Sequence, residues 1–215
     1  MITADDIKKK DTEAYHRILE KGLLIDEPVI RTEDVHRDSF LDRAIVYLMR
    51  KKNSTFTPEE VKTIHGLAFY GKEEPSEYKK TENAFLSPYY VVFIPAKPDE
   101  VEEAMFEWYE KYKDCGDLET VIKMVMDFCS IHPFEDGNGR TAYALMREVM
   151  HSIGFSCAFH LNIDKYVYER KVDNILAIQK SAGRGFGLQT VDYTAYIHFM
   201  LEVLDAAYDE LLSAL

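Results

Sequence analysis

One stretch of the chain, residues 132–140, holds an unusual density of side chains that could perform chemistry. It reads His-Pro-Phe-Glu-Asp-Gly-Asn-Gly-Arg and lies between two segments with helical apolar spacing. Its first residue, His132, has an ordinary pKa of about 6.5, so a neutral ring could take a proton from a hydroxyl group at physiological pH. The stretch therefore predicts a loop that acts on a substrate.

The second half of this loop predicts an anion site. Gly137 and Gly139 let backbone N–H groups approach a ligand closely, and a helix expected to start at about Asn138 points its unpaired N–H groups at the loop. Arg140 can hold phosphate oxygens through two hydrogen bonds, and Asn138 can donate to the same oxygens. Asp136 supplies the oxygen ligand that Mg²⁺ uses when nucleotide phosphates share it.

Each of these residues has an ordinary explanation when it stands alone. His132 continues the apolar stripe of residues 118–131 and would then be a core histidine. Asp136 and the Gly-Asn-Gly run would be turn residues. Phe134 is expected to anchor the loop in the core. Only the combination of all these types within nine residues favours a functional site.

The remainder of the chain predicts an all-α protein. The sequence Thr-Pro-Glu-Glu at 57–60 is a strong helix start, because threonine can cap, proline suits the first turn and the second glutamate can bond back to the cap. Only residues 83–94, rich in β-branched and aromatic side chains, predict a short hairpin. Helices are expected at residues 3–19, 39–51, 57–70, 98–113, 118–131, 138–153, 164–181 and 191–212.

The length of 215 residues suits one substantial core and is short for two. Residues 1–56 are expected to form an N-terminal helical extension, and residues 57–215 a core with C-terminal helices, together one compact unit. Gly154 and Gly183 are expected helix stops. The glycine-rich run 183–187 lacks the preceding strand that a phosphate loop needs, so it is expected to be a connection between helices.

The net charge and the cysteine content indicate which binding partners and which cellular compartment suit this protein. A formal net charge of -12 argues against nucleic acid or an anionic membrane as partner. Three cysteines (115, 129 and 157) are an odd number, which indicates free thiols in a reducing compartment. The N-terminus lacks a signal-peptide core, and no apolar run reaches the roughly 20 residues that span a bilayer. A cytoplasmic location is expected, and secretion as an effector by another route stays open.

Residues 132–140 resemble the signature of the Fic family, commonly written His-Pro-Phe-x-Asp/Glu-Gly-Asn-Gly-Arg, and they match every defined position. By this resemblance, His132 is the general base, Asp136 binds Mg²⁺, and residues 137–140 hold the nucleotide phosphates. Weaker similarity extends over about residues 57–204. The resemblance also implies an all-α helical bundle with a hairpin flap that docks the target protein. The flap residues would be Asn83, Ala84, Phe85 and Leu86.

The resemblance implies a protein adenylyltransferase. ATP with Mg²⁺ would donate AMP to a Ser, Thr or Tyr hydroxyl group of a target protein, and pyrophosphate would leave. Two alternatives stay open: transfer from another nucleotide donor, and a Fic-like domain that binds a nucleotide or protein without turnover. The kinase-like branch of the family carries lysine where this chain has Gly139, which argues against that activity.

The similarity to the family pattern weakens after Arg140. The pattern usually has a second arginine three residues later, where this chain has Tyr143, so the grip on distal phosphates is expected to be weaker. Arg147 lies one helical turn further, about 6 Å along the axis, and is a poor substitute. The sequence holds no convincing copy of the inhibitory Ser/Thr-x-x-x-Glu-Gly-like motif. Control by a separate antitoxin-like inhibitor, control by self-association and the absence of control therefore all stay open.

Overall fold

The computed structural model describes residues 1–23, 25, 39–51, 56–86, 91–187 and 191–215. This part of the chain is all-α with one small hairpin, as the sequence predicts. The helices are α1 (Ala4–Glu20), α2 (Ser39–Arg50), α3 (Pro58–His65), α4 (Val101–Tyr112), α5 (Leu118–Ile131), α6 (Asn138–Ser152), α7 (Ile163–Glu169), α8 (Lys171–Ala182) and α9 (Thr194–Ala214). The hairpin pairs β1 (Phe85–Leu86) with β2 (Val91–Phe93) in antiparallel fashion. The predicted turn of the hairpin, residues 87–90, lies outside the described residues.

Helices α5 and α6 form the centre of the bundle. Helix α5 packs against α4, α6 and α9, and α6 packs against α2, α3 and α7. Most side chains of α6 are buried, including those on faces that a surface helix would turn to solvent. The short connection between these two helices is therefore held at both ends by the most enclosed parts of the molecule.

The helix predicted for residues 57–70 changes character halfway. Thr57 caps its start by accepting a hydrogen bond from the N–H of Glu60 at 3.3 Å, with Pro58 in the first turn. After His65 the chain continues as one π-helical turn, Gly66–Tyr70. A side chain at Gly66 would overlap the backbone carbonyl of Glu74, so glycine is what lets the following segment cross closely there.

The single helix predicted for residues 164–181 is two helices. Helix α7 ends and α8 begins at Arg170, whose backbone leaves the helical region at φ -109° and ψ 33°. Arg170 is held at this break by Asp173 and by Glu202 of α9. Gly183, with φ 73°, ends α8 and Gly154, with φ 94°, follows α6, as the sequence predicts.

Helix α1 is bonded to the rest of the bundle through a buried carboxylate. Asp11 accepts hydrogen bonds from the N–H groups of Ser156 at 3.0 Å and Cys157 at 2.8 Å, and from the hydroxyl of Tyr208 at 2.9 Å. All three cysteines are free thiols. Within the described ranges, none of the helices is both long and apolar enough to cross a membrane.

Candidate functional site

His132 ends α5 in a left-handed backbone conformation. Its φ is 53° and ψ 61°, and among the described residues it alone, glycines aside, has positive φ. Its N–H donates to the carbonyl of Phe128 at 2.9 Å. Because this conformation costs a residue with a side chain on the order of 1 kcal/mol, neighbouring contacts must hold it in place.

The ring of His132 lies in surroundings that favour its neutral form. Phe85 of the hairpin meets it edge-on, with ring centroids 4.7 Å apart. Its Nδ1 atom is buried without a hydrogen-bond partner in the described structure. Burial lowers the pKa of His132 to about 4, the charge of Lys79 acts in the same direction, and Asp136 opposes both. The ring can therefore accept a proton at physiological pH.

Phe134 and Asn138 close the loop on itself. Phe134 is fully buried. Asn138 Oδ1 accepts from the N–H of Phe134 at 2.9 Å, and its Nδ2 donates to the carbonyl of the same residue at 2.8 Å. The Asn138 side chain thus has a different task from the phosphate contact expected of it. Its backbone N–H, in the first turn of α6, and the second N–H of Nδ2 are not used by these two bonds.

His65 supports the loop from α3, and the sequence gives no sign of this. Its ring stacks on that of Phe134, with centroids 3.8 Å apart and planes 15° from parallel. Its Nε2 donates to the carbonyl of Asp136 at 2.8 Å, which fixes the tautomer with the proton on Nε2. Burial lowers the pKa of His65, so the ring stays neutral in this position.

The two glycines of the loop have different reasons to be glycine. Gly137 has φ 77°, and a Cβ there would lie 2.8 Å from the ring of Phe69. Gly139 lies inside α6, where a Cβ would meet only the ring of Tyr143 at an ordinary 3.7 Å. No described neighbour requires glycine at position 139, although glycine weakens a helix. The space it leaves faces a cavity.

That cavity, of about 990 Å³, is large enough for a nucleotide. His132, Gly139 and Arg140 line one wall, and residues of α2, α7 and α8 line the others. Helix α6 points its first turn towards the loop, and Gly137 brings no side chain to cap it. The Arg140 guanidinium lies 4.7 Å from the centre of the Phe69 ring. Together with the backbone amides of the first turn of α6, it forms a positively charged corner of the cavity that suits an anion.

Asp136 stands at the solvent edge of this corner. Its carboxylate is exposed, and Oδ1 accepts from the N–H of Gly137 at 2.6 Å. Within the described ranges, no cluster of three or more His, Cys, Asp or Glu side chains could hold a metal ion. A single carboxylate fits Mg²⁺ that takes its other ligands from phosphate oxygens and water, and does not fit a closed protein site.

Neither Tyr143 nor Arg147 offers a second guanidinium to a ligand in this cavity. Tyr143 is buried in the cavity wall, and this burial raises the pKa of its hydroxyl well above the usual value. Arg147 is 1% exposed and donates to the carbonyls of Tyr143 and Leu161 and to the carboxylate of Asp164. Its guanidinium joins α6 to the segment before α7, so it is no substitute phosphate clamp.

The four hairpin residues expected to dock a target lie in different settings. The Asn83 side chain turns inward and donates to the carbonyl of Phe134 at 3.3 Å. Phe85 packs on His132 and is the hairpin residue that lines the cavity. Ala84 is exposed, and Leu86 pairs with Val91 through the backbone.

The hairpin is also tied to the glycine-rich run at 183–187. The N–H of Ile94 donates to the carbonyl of Arg184 at 3.0 Å, and the N–H of Phe186 donates to the carbonyl of Ile94 at 2.9 Å. These bonds form an isolated parallel bridge between Ile94 and Gly185. The run is therefore a connection between α8 and α9 that supports the hairpin, and it does not line the cavity.

Comparisons with known proteins agree with the resemblance seen in the sequence. The sequence model of the Fic/DOC family matches residues 55–150. No curated protein matches the chain.

Three solved structures share the fold. A Fic family protein from Desulfovibrio desulfuricans G20 is 18% identical with a TM-score of 0.69, over 100% of this chain and 76% of that one. A Fic domain-containing signaling protein from Bacteroides thetaiotaomicron VPI-5482 is 20% identical with a TM-score of 0.62, over 81% and 69%. A Fic-1 fragment from C. elegans is 19% identical with a TM-score of 0.56, over 93% and 56%. At these identities the likeness concerns the fold alone.

Proposed function

We propose that this chain, whose residues 55–150 match the sequence model of the Fic/DOC family, is a protein adenylyltransferase, which transfers AMP from ATP to a side-chain hydroxyl group of a target protein. One observation carries the proposal. A neutral, strained histidine and the start of α6 lie on the same wall of a cavity of about 990 Å³. A base and an anion site thus face one enclosed volume.

The phosphates of the nucleotide bind at the start of α6. The N–H groups of its first turn, the space beside Gly139 and the guanidinium of Arg140 provide backbone donors, close approach and positive charge. Asn138 serves this site by closing the loop around Phe134. These groups stabilise charge that develops on the phosphate oxygens during transfer.

The base is His132. Its unprotonated ring takes the proton of the target hydroxyl while the hydroxyl oxygen forms a bond to the α-phosphorus. The bond from that phosphorus to the oxygen bridging to the β-phosphate breaks, and pyrophosphate leaves with the electron pair. Holding the hydroxyl and the phosphate in this geometry supplies much of the rate enhancement.

Mg²⁺ is the cofactor that Asp136 would hold. When bound, the ion would neutralise negative charge on the phosphates and orient them. The exposed carboxylate of Asp136, with its Oδ1 already bonded to the N–H of Gly137, leaves Oδ2 for this ligation.

The target protein docks at the hairpin. The backbone around Ala84 and Leu86 lies next to Phe85, whose ring touches His132, so an extended segment added there arrives beside the base. The three free thiols favour a reducing compartment, and we place the activity in the cytoplasm. Control comes from a separate antitoxin-like inhibitor or from self-association.

The donor nucleotide is tested directly. The purified chain is incubated with a cell lysate, Mg²⁺ and, in parallel, α-labelled ATP, CTP, GTP and UTP. Label on protein from ATP, lost in His132→Ala, supports the proposal. Because Tyr143 stands where a second phosphate-binding arginine is expected, label from another nucleotide alone would change the donor and keep the reaction class.

A binding module without turnover is the second candidate, favoured by the same Tyr143. It predicts that ATP binds in calorimetry, that no nucleotide labels protein and that His132→Ala changes nothing. The retained base beside the anion site supports the enzyme.

A further inference from the structure

Lys79 is a buried cation that the proposed reaction does not use. It is 3% exposed and lies on the segment that leads into β1. Its Nζ donates to Oδ1 of Asn83 at 2.8 Å and to the carbonyl of Ile131, the last residue of α5, at 3.4 Å. Its N–H donates to the carbonyl of Pro133 at 2.8 Å. It therefore contacts the residues on both sides of His132.

The segment that carries Lys79 is bonded to the loop along its length. Glu135 accepts hydrogen bonds from the N–H of Lys80 at 2.9 Å, from the N–H of Thr81 at 3.1 Å and from its hydroxyl at 2.8 Å. Asn83 donates to Phe134. Two residues later, Phe85 packs on His132. The loop and the hairpin thus form one bonded unit.

We propose that Lys79 is a positioning residue for the base. Its ammonium group caps the end of α5 at Ile131 and links that end, through Asn83, to the hairpin, so that His132 is held in its left-handed conformation beside Phe85. A cation at the C-terminal end of a helix is stabilised by the helix dipole, which offsets part of the cost of burying it. The inference rests on the proposed role of His132 as base.

Electrostatics support this placement. The charged groups that face His132 are Lys79, which lowers the pKa of the ring, and Asp136, which raises it. From α5, a backbone group of Cys129 also raises it. Burial lowers the pKa of Lys79 itself to about 8, against the carboxylates of Glu135, Glu100 and Glu82, so it is mostly charged at neutral pH. Lys79 thus keeps the ring unprotonated as well as in place.

The experiment compares three single variants of the full chain. Lys79→Met removes the charge at similar size, Lys79→Arg keeps the charge, and Lys80→Met is the matched control. Lys80 is an adjacent, exposed lysine whose side chain pairs with Glu77. The first readout is the pKa of His132, measured by titrating its NMR signals without nucleotide. The second is the pH profile of transfer, with kcat and KM separated.

Burial and the charge of Lys79 lower the pKa of His132 to about 4; we expect this pKa to rise in Lys79→Met, while burial, the larger cause, still holds it below its ordinary value. The acid limb of kcat moves to higher pH by about 1 unit, and KM for the nucleotide stays within about twofold. Lys80→Met matches the wild type, and Lys79→Arg stays closer to it than Lys79→Met does.

An unchanged pKa of His132 in a folded Lys79→Met variant would overturn the proposal. If that variant does not fold, Asn83→Ala takes its place, because it keeps the lysine and removes one of its hydrogen-bond partners. The pKa of His132 must then rise in Asn83→Ala, and an unchanged pKa would overturn the proposal. The NMR readout needs no transfer. A protein that transfers nothing but shows the shift refutes the adenylyltransferase and leaves the role of Lys79 intact.

Discussion

Asn138 grips the backbone of Phe134 from both sides, accepting from its N–H at 2.9 Å and donating to its carbonyl at 2.8 Å. The side chain is 2% exposed, so these bonds are shielded from water. A residue expected to bind phosphate therefore acts first on the shape of the loop. Its loss should be measurable without any nucleotide.

Asn138→Ala is expected to lower the free energy of unfolding by about 2–3 kcal/mol, because two buried backbone groups lose their partner. Urea denaturation measures this. Asn83→Ala removes the longer 3.3 Å bond to the same carbonyl and also the 2.8 Å bond that Asn83 accepts from the buried Lys79, so it should cost about 1–3 kcal/mol. If Asn138→Ala were as stable as the wild type and bound nucleotide weakly, the side chain would serve the ligand.

The glycines at 137 and 139 form a matched pair. Gly139→Ala should leave stability unchanged or raise it by up to about 1 kcal/mol, because its Cβ meets only an ordinary contact, while nucleotide affinity falls about tenfold. Gly137→Ala should lower stability, because its Cβ would collide with Phe69 at positive φ. Calorimetry measures the nucleotide affinity of the two variants, and thermal unfolding measures their stability. Undiminished affinity in Gly139→Ala would mean that the ligand does not approach this backbone.

His132→Ala should abolish transfer and leave nucleotide binding within about threefold, because the ring acts on the hydroxyl proton. His132→Gly should be equally inactive but more stable than His132→Ala by about 1 kcal/mol, since glycine adopts φ 53° without strain. Weaker nucleotide binding with residual turnover in these variants would remove the base assignment.

Tyr143→Arg should tighten ATP more than AMP, by about 1.5–3 kcal/mol, because only ATP carries distal phosphates for the new guanidinium. The wild-type residue is buried in the cavity wall three residues after Arg140, so the arginine must extend into the cavity. Tyr143→Phe is the control and should not discriminate between the two nucleotides. Equal tightening of both would show that position 143 acts on another part of the ligand.

Glu148 should make stability depend on pH. Its carboxylate is buried, one oxygen bonds to Lys51 at 2.7 Å, the other has no partner in the described structure, and burial raises its pKa to about 7. Between the ordinary glutamate pKa of 4.5 and a pH of about 7, the unfolded chain has released this proton while the folded chain keeps it. Stability therefore falls as pH rises through this window.

Glu148→Gln should remove that contribution. From pH 5 to pH 8, the unfolding free energy of Glu148→Gln minus that of the wild type should rise by on the order of 2 kcal/mol. Urea denaturation at the two pH values measures it. An identical difference at both would place the ionisation of Glu148 at its ordinary pKa.

The sequence predicts features that depend on neighbouring residues and misses contacts between residues that lie far apart in the chain. Helix α5 and the start of α6 lie where expected, because Asp117 caps one end and the Gly-Asn-Gly run marks the other. The chemistry that we propose for the 132–140 loop is likewise predicted from consecutive residues. His65 contacts Asp136, 71 residues further along the chain, and Lys79 contacts Ile131, 52 residues further along. No local sequence pattern predicts either contact.

The sequence did not predict two interruptions of helical structure, and both depend on tertiary contacts. The division at Arg170 contains neither glycine nor proline and follows from packing and ion pairs with α9. The π-helical turn after His65 follows from the close crossing of Glu74 over Gly66, a tertiary contact. A helix-period pattern continues through both, so propensity alone gave one longer helix in each place.

The buried Asp11 also decides how the chain can be shortened for experiments. A truncation beginning at residue 57 would keep every residue of the 132–140 loop but remove α1, leaving the N–H groups of Ser156 and Cys157 and the hydroxyl of Tyr208 without their acceptor. It would also uncover the face of α9 on which α1 packs. A minimal active fragment must therefore carry the first helix, however far that helix lies from the chemistry in sequence.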